Sequence, residues 1–189
     1  DKEGFHFQTA SIRSPQLLEF SEALPPLPDD YTTEFRTGLS AFAQSCASVL
    51  EQGMILTIDY GHVRSDYYAE RRTSGTLRTF YNQTADENPL INAGEQDITA
   101  HVDFTQLAQT YQSAGFEPHY FDTQARFLIL LANPWFKNIE ESQQAPPTKL
   151  IRQFQTLTHP SMMGHQFSVL ECSLNRTPDH KVLSKLEVR

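Results

Sequence analysis

Hydrophobic residues recur along this chain in two rhythms, one near every third or fourth position and one in short unbroken runs, and the two predict different elements. Across residues 37–53, Leu39, Phe42, Ala43, Cys46, Val49 and Leu50 keep helical spacing, and Gly53 stands where a C-terminal cap belongs. Residues 54–58, Met-Ile-Leu-Thr-Ile, follow at once without alternation. Such a run suits a central strand covered on both faces. Ahead of both, residues 4–12 alternate in the manner of a peripheral strand, and Pro25, Pro26 and Pro28 end whatever precedes them.

Residues 103–115 return to the helical rhythm. Phe104, Leu107, Ala108, Tyr111 and Ala114 form an apolar stripe that Gly115 closes. Asp103 is placed to cap the first turn, with Gln106 three residues on as in a capping box and Val102 positioned to staple onto Leu107. Residues 116–123 read as a strand, so strand, helix and strand from 54 to 121 imply a parallel pair with a right-handed crossover. Residues 125–134 fit a buried helix or a strand, which periodicity does not separate. Leu150, Ile151, Phe154 and Leu157 keep helical spacing between prolines, and residues 165–174 form a good strand. This alternation predicts an α/β three-layer sandwich, a single or partial domain over residues 1–189.

Composition then narrows the function classes. A chain of 189 residues, 39% hydrophobic and 20% charged, can bury a real core. The net charge of -8 argues against a nucleic-acid partner, because phosphates are neutralised by clustered cations. Only residues 70–78 are locally basic, and Arg71 and Arg72 there read as a solvated face. Cys46 and Cys172 lie in apolar surroundings without metal-ligand spacing, which suggests buried thiols in a reducing compartment. No apolar run reaches membrane-spanning length and nothing resembles a signal peptide, so a cytosolic or organelle-luminal protein is expected. The chain opens without an initiator Met, as a fragment would.

About forty residues separate Asp59 from Val102, whereas crossovers in α/β units usually leave a strand within a few. An excursion at the carboxyl end of a central strand lies where open α/β sheets place their ligands. Residues 60–102 are therefore expected to form a substrate-side insertion or lid. Asp59, Tyr60, Arg78, Asp97 and His101 lie in or beside it, and capping accounts for Asp103 alone. Turn and scaffold roles are the ordinary alternatives for each. His101 and Asp103 share a spacing that suggests a metal, but with no third ligand evident a metal site is not expected.

The stretches "GMILTIDYGH", "GTLRTFYNQ", "PLINAGEQDITAHVDFTQLA", "DTQARFLILLA" and "HPSMMGHQFSVL" resemble, in order, the C-terminal half of the MidA-like class I S-adenosylmethionine-dependent methyltransferases. The resemblance runs from about residue 30 to 174, and five ordered motifs are far more specific than one glycine pattern. It implies the half of a Rossmann-like sheet that holds the fifth strand, a long insertion, a helix, and antiparallel sixth and seventh strands. The implied cofactor is S-adenosylmethionine, yet the eight glycines make no G-x-G turn after an N-terminal strand, so cofactor-binding residues stay unassigned. A mitochondrial member is an arginine methyltransferase acting in respiratory complex I assembly. By that resemblance the substrate is a protein, and the compartment is bacterial cytoplasm or mitochondrial matrix.

An arginine acceptor sets a chemical requirement, because protonated guanidinium is a poor nucleophile. Carboxylates have to orient one nitrogen and favour proton loss. Asp97 and His101 are thus the catalytic candidates, with Asp59, Tyr60, Arg78 and Gln124 as substrate contacts. Gln124 fits equally as a cap for the residues after it. Two other classes remain: a partner- or substrate-recognition module that no longer catalyses, and a hydrolase, for which the required G-x-S-x-G elbow is missing. A half sheet would expose an edge, for which self-association is expected.

Overall fold

The computed structural model describes residues 4–142, 147–183 and 186. They form two compact units, one of Asp1–Leu39 with Ser65–His101 and one of Ser40–Arg64 with Val102–Arg189. Residues 65–101, inside the excursion expected at 60–102, therefore assemble with the N-terminal segment.

The larger unit is built on a four-stranded sheet. Strands β1 (Gly53–Asp59), β7 (Glu117–Thr123), β8 (Ser168–Leu174) and β9 (Val182–Leu183) are ordered β1-β8-β7-β9. β8 runs antiparallel to both neighbours, with Ile55 opposite Cys172 and Phe121 opposite Leu170. The parallel pair expected from strand, helix and strand is thus parallel in direction but not adjacent, because β8 takes the place between. Of the sixth and seventh strands that the resemblance implies, β7 and β8, only β8 runs against the direction of β1.

Two helices cover opposite faces of this sheet. Tyr120 and Phe121 are consecutive in β7 and so point to opposite sides. Phe121 meets Phe104 of α4 (Phe104–Ser113) at a ring distance of 5.2 Å, and Tyr120 meets Phe127 of α5 (Gln124–Ser142) at 4.9 Å. Helix, sheet and helix make the three layers. α4 follows its pattern closely: Phe104, Leu107, Ala108 and Tyr111 are buried, Asp103 accepts from the Gln106 N–H at 3.0 Å, and Gly115 turns the chain at φ +95°. The undecided residues 125–134 are helical, and the helix runs through Pro134. α6 (Thr148–Thr158) forms as its spacing predicts.

Three expectations need correction. β1 is not covered on both faces: it ends the described sheet, and Met54, Leu56 and Ile58 on one side are exposed by 42%, 48% and 44%. Its other side holds Thr57, whose hydroxyl shares a hydrogen bond with Tyr111 at 3.3 Å. An unbroken apolar run specifies two faces that seek burial, and among the described residues only one finds it. Helix α2 (Leu39–Val49) stops before Gly53, which starts β1 opposite Leu174 in place of capping the helix. Residues 4–12 form no strand; Phe5, Phe7 and Ile12 are exposed, and the first element is helix α1 (Pro15–Glu22), with Pro15 in the first turn where a missing N–H costs nothing.

The excursion has structure of its own. A two-residue parallel ladder joins β2 (Gly61–His62) to β6 (Val102–Asp103), so its two ends are pinned side by side. A side chain at Gly61 would drive its Cβ into the Val102 carbonyl oxygen and to 2.8 Å from the Phe104 ring, so that position admits only glycine. Between the ends lie the short helix α3 (Arg64–Tyr67), a 3₁₀ turn at Glu70–Arg72, and a sheet ordered β4 (Thr84–Asp86), β3 (Arg78–Tyr81), β5 (Asp97–Thr99). No helix among the described residues is long and apolar enough to cross a membrane.

Replacing Asp103 with Ala removes the α4 cap and the carboxylate 3.8 Å from Arg64. The expected loss is about 1–2 kcal/mol of unfolding free energy by chemical denaturation, and Asp103→Asn, which keeps the cap acceptor, recovers most of it.

Candidate functional site

In the smaller unit one carboxylate organises the polar residues. Glu34 accepts from the Thr76 N–H at 2.7 Å, the Leu77 N–H at 2.8 Å, the Tyr67 hydroxyl at 2.9 Å and the Thr76 hydroxyl at 3.0 Å. Burial alone would push this carboxyl up; the bonds from Thr76, Tyr67 and Leu77 outweigh it and hold Glu34 below its ordinary value. Burial pushes the Tyr67 phenol up, so it remains a donor. Gly75, at φ +77°, is required here: a Cβ would collide with the Glu34 Oε1. The glycine and threonine of the "GTLR" motif are thus the two sides of a carboxylate clasp.

The clasp positions His101. Its backbone N–H donates to the Thr76 hydroxyl at 2.9 Å while its carbonyl accepts from Arg36, which also reaches the Ala100 carbonyl at 3.2 Å. His101 lines a cleft of about 200 Å³ together with Arg71, Arg72, Arg78, Glu87 and residues 74–76. Arg78 and His101, separated by 23 positions in the chain (101 minus 78), therefore meet in one cavity. Asp97 does not line it, but belongs to the same sheet. Arg78 pairs with Thr99 and Phe80 with Asp97, so strand alternation places Arg78 and Asp97 on one face, two residues apart along the strands.

Asp59, Tyr60 and Gln124 lie in the other unit. The Asp59 carboxylate accepts from the Tyr60 N–H at 2.7 Å, a local turn bond at the end of β1. Tyr60 stacks on Phe167 with ring centroids 4.3 Å apart, and its carbonyl accepts from the Val102 N–H at 2.8 Å. Gln124 is buried; its backbone N–H donates to the Phe167 carbonyl at 3.0 Å and its side-chain amide donates to the Leu157 carbonyl at 2.9 Å. It ties α5 to α6.

Arg72 departs from the solvated face expected of it. It is half-buried, its guanidinium donates to the Asp66 carbonyl, and burial followed by the neighbouring Arg71 charge lowers its pKa. Glu34 escaped the sequence reading altogether. The signal available was the glycine and threonine of "GTLR", whose partner lies 42 positions away (76 minus 34). Cys172 is buried and pushed up to about 12, so it stays a thiol.

A mixed sheet with helices on both faces and an antiparallel strand set between two parallel ones defines a Rossmann-like α/β half of the methyltransferase kind. Residues 1–122 match the model of a family described as "Putative S-adenosyl-L-methionine-dependent methyltransferase", and the chain belongs to that family. Among solved structures it is similar to a COG1565 superfamily member from Burkholderia thailandensis bound to S-adenosyl-homocysteine, at 26% identity and a TM-score of 0.77 over 95% of this chain. A native crystal structure of a COG1565 superfamily protein from the same organism is similar at 28% identity, with a TM-score of 0.70 over 85% of this chain. The chain spans 46% and 43% of those two solved chains, less than half of either. No curated protein matches it.

Glu34 has a depressed pKa, so its contribution to stability is present above the unfolded carboxyl value and is lost as pH falls through the lower folded one. Glu34→Gln cannot accept four donors, and the expected cost at pH 7 is about 2–3 kcal/mol. Denaturation midpoints of wild type and E34Q should converge as the pH drops below about 4.5; a constant gap would remove the charge argument.

Proposed function

We propose that this chain is the acceptor-side portion of an S-adenosylmethionine-dependent methyltransferase, acting on a protein side chain and, by the MidA-like resemblance, on arginine in respiratory complex assembly. The observation that carries the reading is the agreement between the family match over residues 1–122 and a solved relative with S-adenosyl-homocysteine bound. The bare face of β1 supports it. Met54, Leu56 and Ile58 are the side chains that a larger sheet and its helices would cover, and the edge of β1 that no described strand pairs is where a further strand would add. A second copy of the chain meeting at that edge is the alternative occupant.

The eight glycines provide no glycine-rich turn after a strand, so no residue of this chain is assigned to the cofactor. When bound, that group supplies an electrophilic methyl on a sulfonium. The chain's own residues would handle the acceptor. Asp97, on the exposed edge strand β5, would pair with the guanidinium and present one nitrogen. His101, held by its backbone between Thr76 and Arg36, would take the proton that the nitrogen releases. Asp59 and Tyr60, at the carboxyl end of β1, stand where α/β folds gather ligand contacts, and a tyrosine face attracts a cation. Gln124 would act only through the α5–α6 tie.

A second reading, a recognition module without catalysis, draws on the absent glycine-rich turn. Titration of the full-length protein with S-adenosylmethionine separates the two, since micromolar binding favours the enzyme and silence favours the module. In full-length protein, Asp97→Asn and His101→Gln are each expected to lower kcat for methyl transfer by about tenfold or more, with Asp97→Asn also raising KM. Unchanged turnover in both variants would sink the assignment.

A further inference from the structure

The cleft of the smaller unit presents a chemistry that an arginine acceptor does not use. Among its lining residues are three arginines, Arg71, Arg72 and Arg78, and one acidic residue, Glu87. The nearby Glu34 carboxylate and the backbone donors of residues 75–77 are committed elsewhere. Glu34 already accepts four bonds, two of them from the Thr76 and Leu77 N–H groups. The Gly75 N–H donates to the Arg72 carbonyl at 3.0 Å. The backbone donors of residues 75–77 are thus already engaged and do not make a phosphate cradle. Recognition there falls to guanidinium forks, which match the planar oxygens of a carboxylate.

Glu87 shows the fit within the molecule. Its carboxylate stands 3.4 Å from one terminal nitrogen of Arg78, whose other terminal nitrogen donates to the Leu77 carbonyl at 2.7 Å. Glu87 is 72% exposed at its side chain, so this pair is weak and replaceable. Arg71 is similarly loose, 3.9 Å from an exposed Asp66. Arg72 is the anchored member, half-buried and braced on the Asp66 carbonyl.

We propose that this cleft is a binding site for a carboxylate, received between Arg72 and Arg78 as Glu87 moves off Arg78. Glu87 is an internal competitor for the site. The carboxylate belongs to an acidic side chain of a protein or to a free small organic acid, and either offers the same planar pair of oxygens. The cavity, near 200 Å³, admits one such group and not a folded surface. The assignment stands without the methyl-transfer reading, because its readout involves no turnover.

The test follows the Arg72 and Arg78 Nε–H signals of the full chain by nitrogen-15 NMR during titration with succinate, with a blocked Glu-Glu-Glu peptide, with uncharged succinamide and with inorganic phosphate. Saturable shifts with succinate or the peptide are expected, and the tighter of the two identifies the source. Glu87→Gln, at an exposed position, should tighten binding by up to about fivefold. Arg78→Gln should weaken it by about tenfold or more. Failure of both carboxylates to give saturable shifts in wild type and E87Q overturns the proposal. Equal shifts with succinamide do the same, as does phosphate binding with both carboxylates silent.

Discussion

An ionised carboxylate inside the smaller unit is the constraint on which its other features depend. Glu34 brings residue 34 against residues 67, 76 and 77, so two segments far apart in the chain close into one body. Only a carboxylate offers enough lone pairs for two backbone N–H groups and two hydroxyls at once. Leaving any of those donors unmade in a half-buried site would cost more than the bond gains. The consequence reaches the cleft: with the Thr76 and Leu77 N–H groups turned inward, the outward side of the same turn is left to Arg72, Arg78 and His101.

The larger unit depends on a steric constraint of comparable rank. Gly61 lets the chain leaving β1 lie against the strand that enters α4, and a single added carbon would strike the Val102 carbonyl. Gly164 does a similar task near the other end, where a Cβ would meet the Thr158 carbonyl as the chain turns from α6 toward β8. Gly61, Gly75 and Gly164 stand in three of the motifs that mark the family. Each is there because backbone or a carboxylate oxygen occupies the space a side chain would need.

These constraints bear on function in opposite directions. On the proposed reading, a methyl-accepting arginine would need negative charge, which Asp97 would offer on the face it shares with Arg78. The adjacent cleft is positive, and its arginines would repel that same group. A substrate bearing an acidic group beside its acceptor reconciles the two, since one sheet face can then hold opposite charges two residues apart. The edge of β1 is a separate matter: three large aliphatic side chains left between 42% and 48% exposed forfeit somewhat under half of the roughly 1.5–3 kcal/mol that full burial of each would contribute, which favours a covering surface.

Local pattern was enough for α4, its Asp103 cap and Gly115 turn, for β7, α6 and β8, and for the choice of an α/β fold, because each rests on contacts within a few residues or on the period of a buried face. Motif order was enough for the family. The position of β8 between β1 and β7, the open face of β1, and the helical state of residues 124–142 were decided by which surfaces meet, and no single stretch encodes that. The candidate site divides the same way. Arg78, Asp97 and His101 were legible as polar residues in a long excursion, but Glu34 was not, and neither was the cleft. Both arise from hydrogen bonds across some forty positions of chain, where the sequence supplies the partners and only folding brings them within 3 Å.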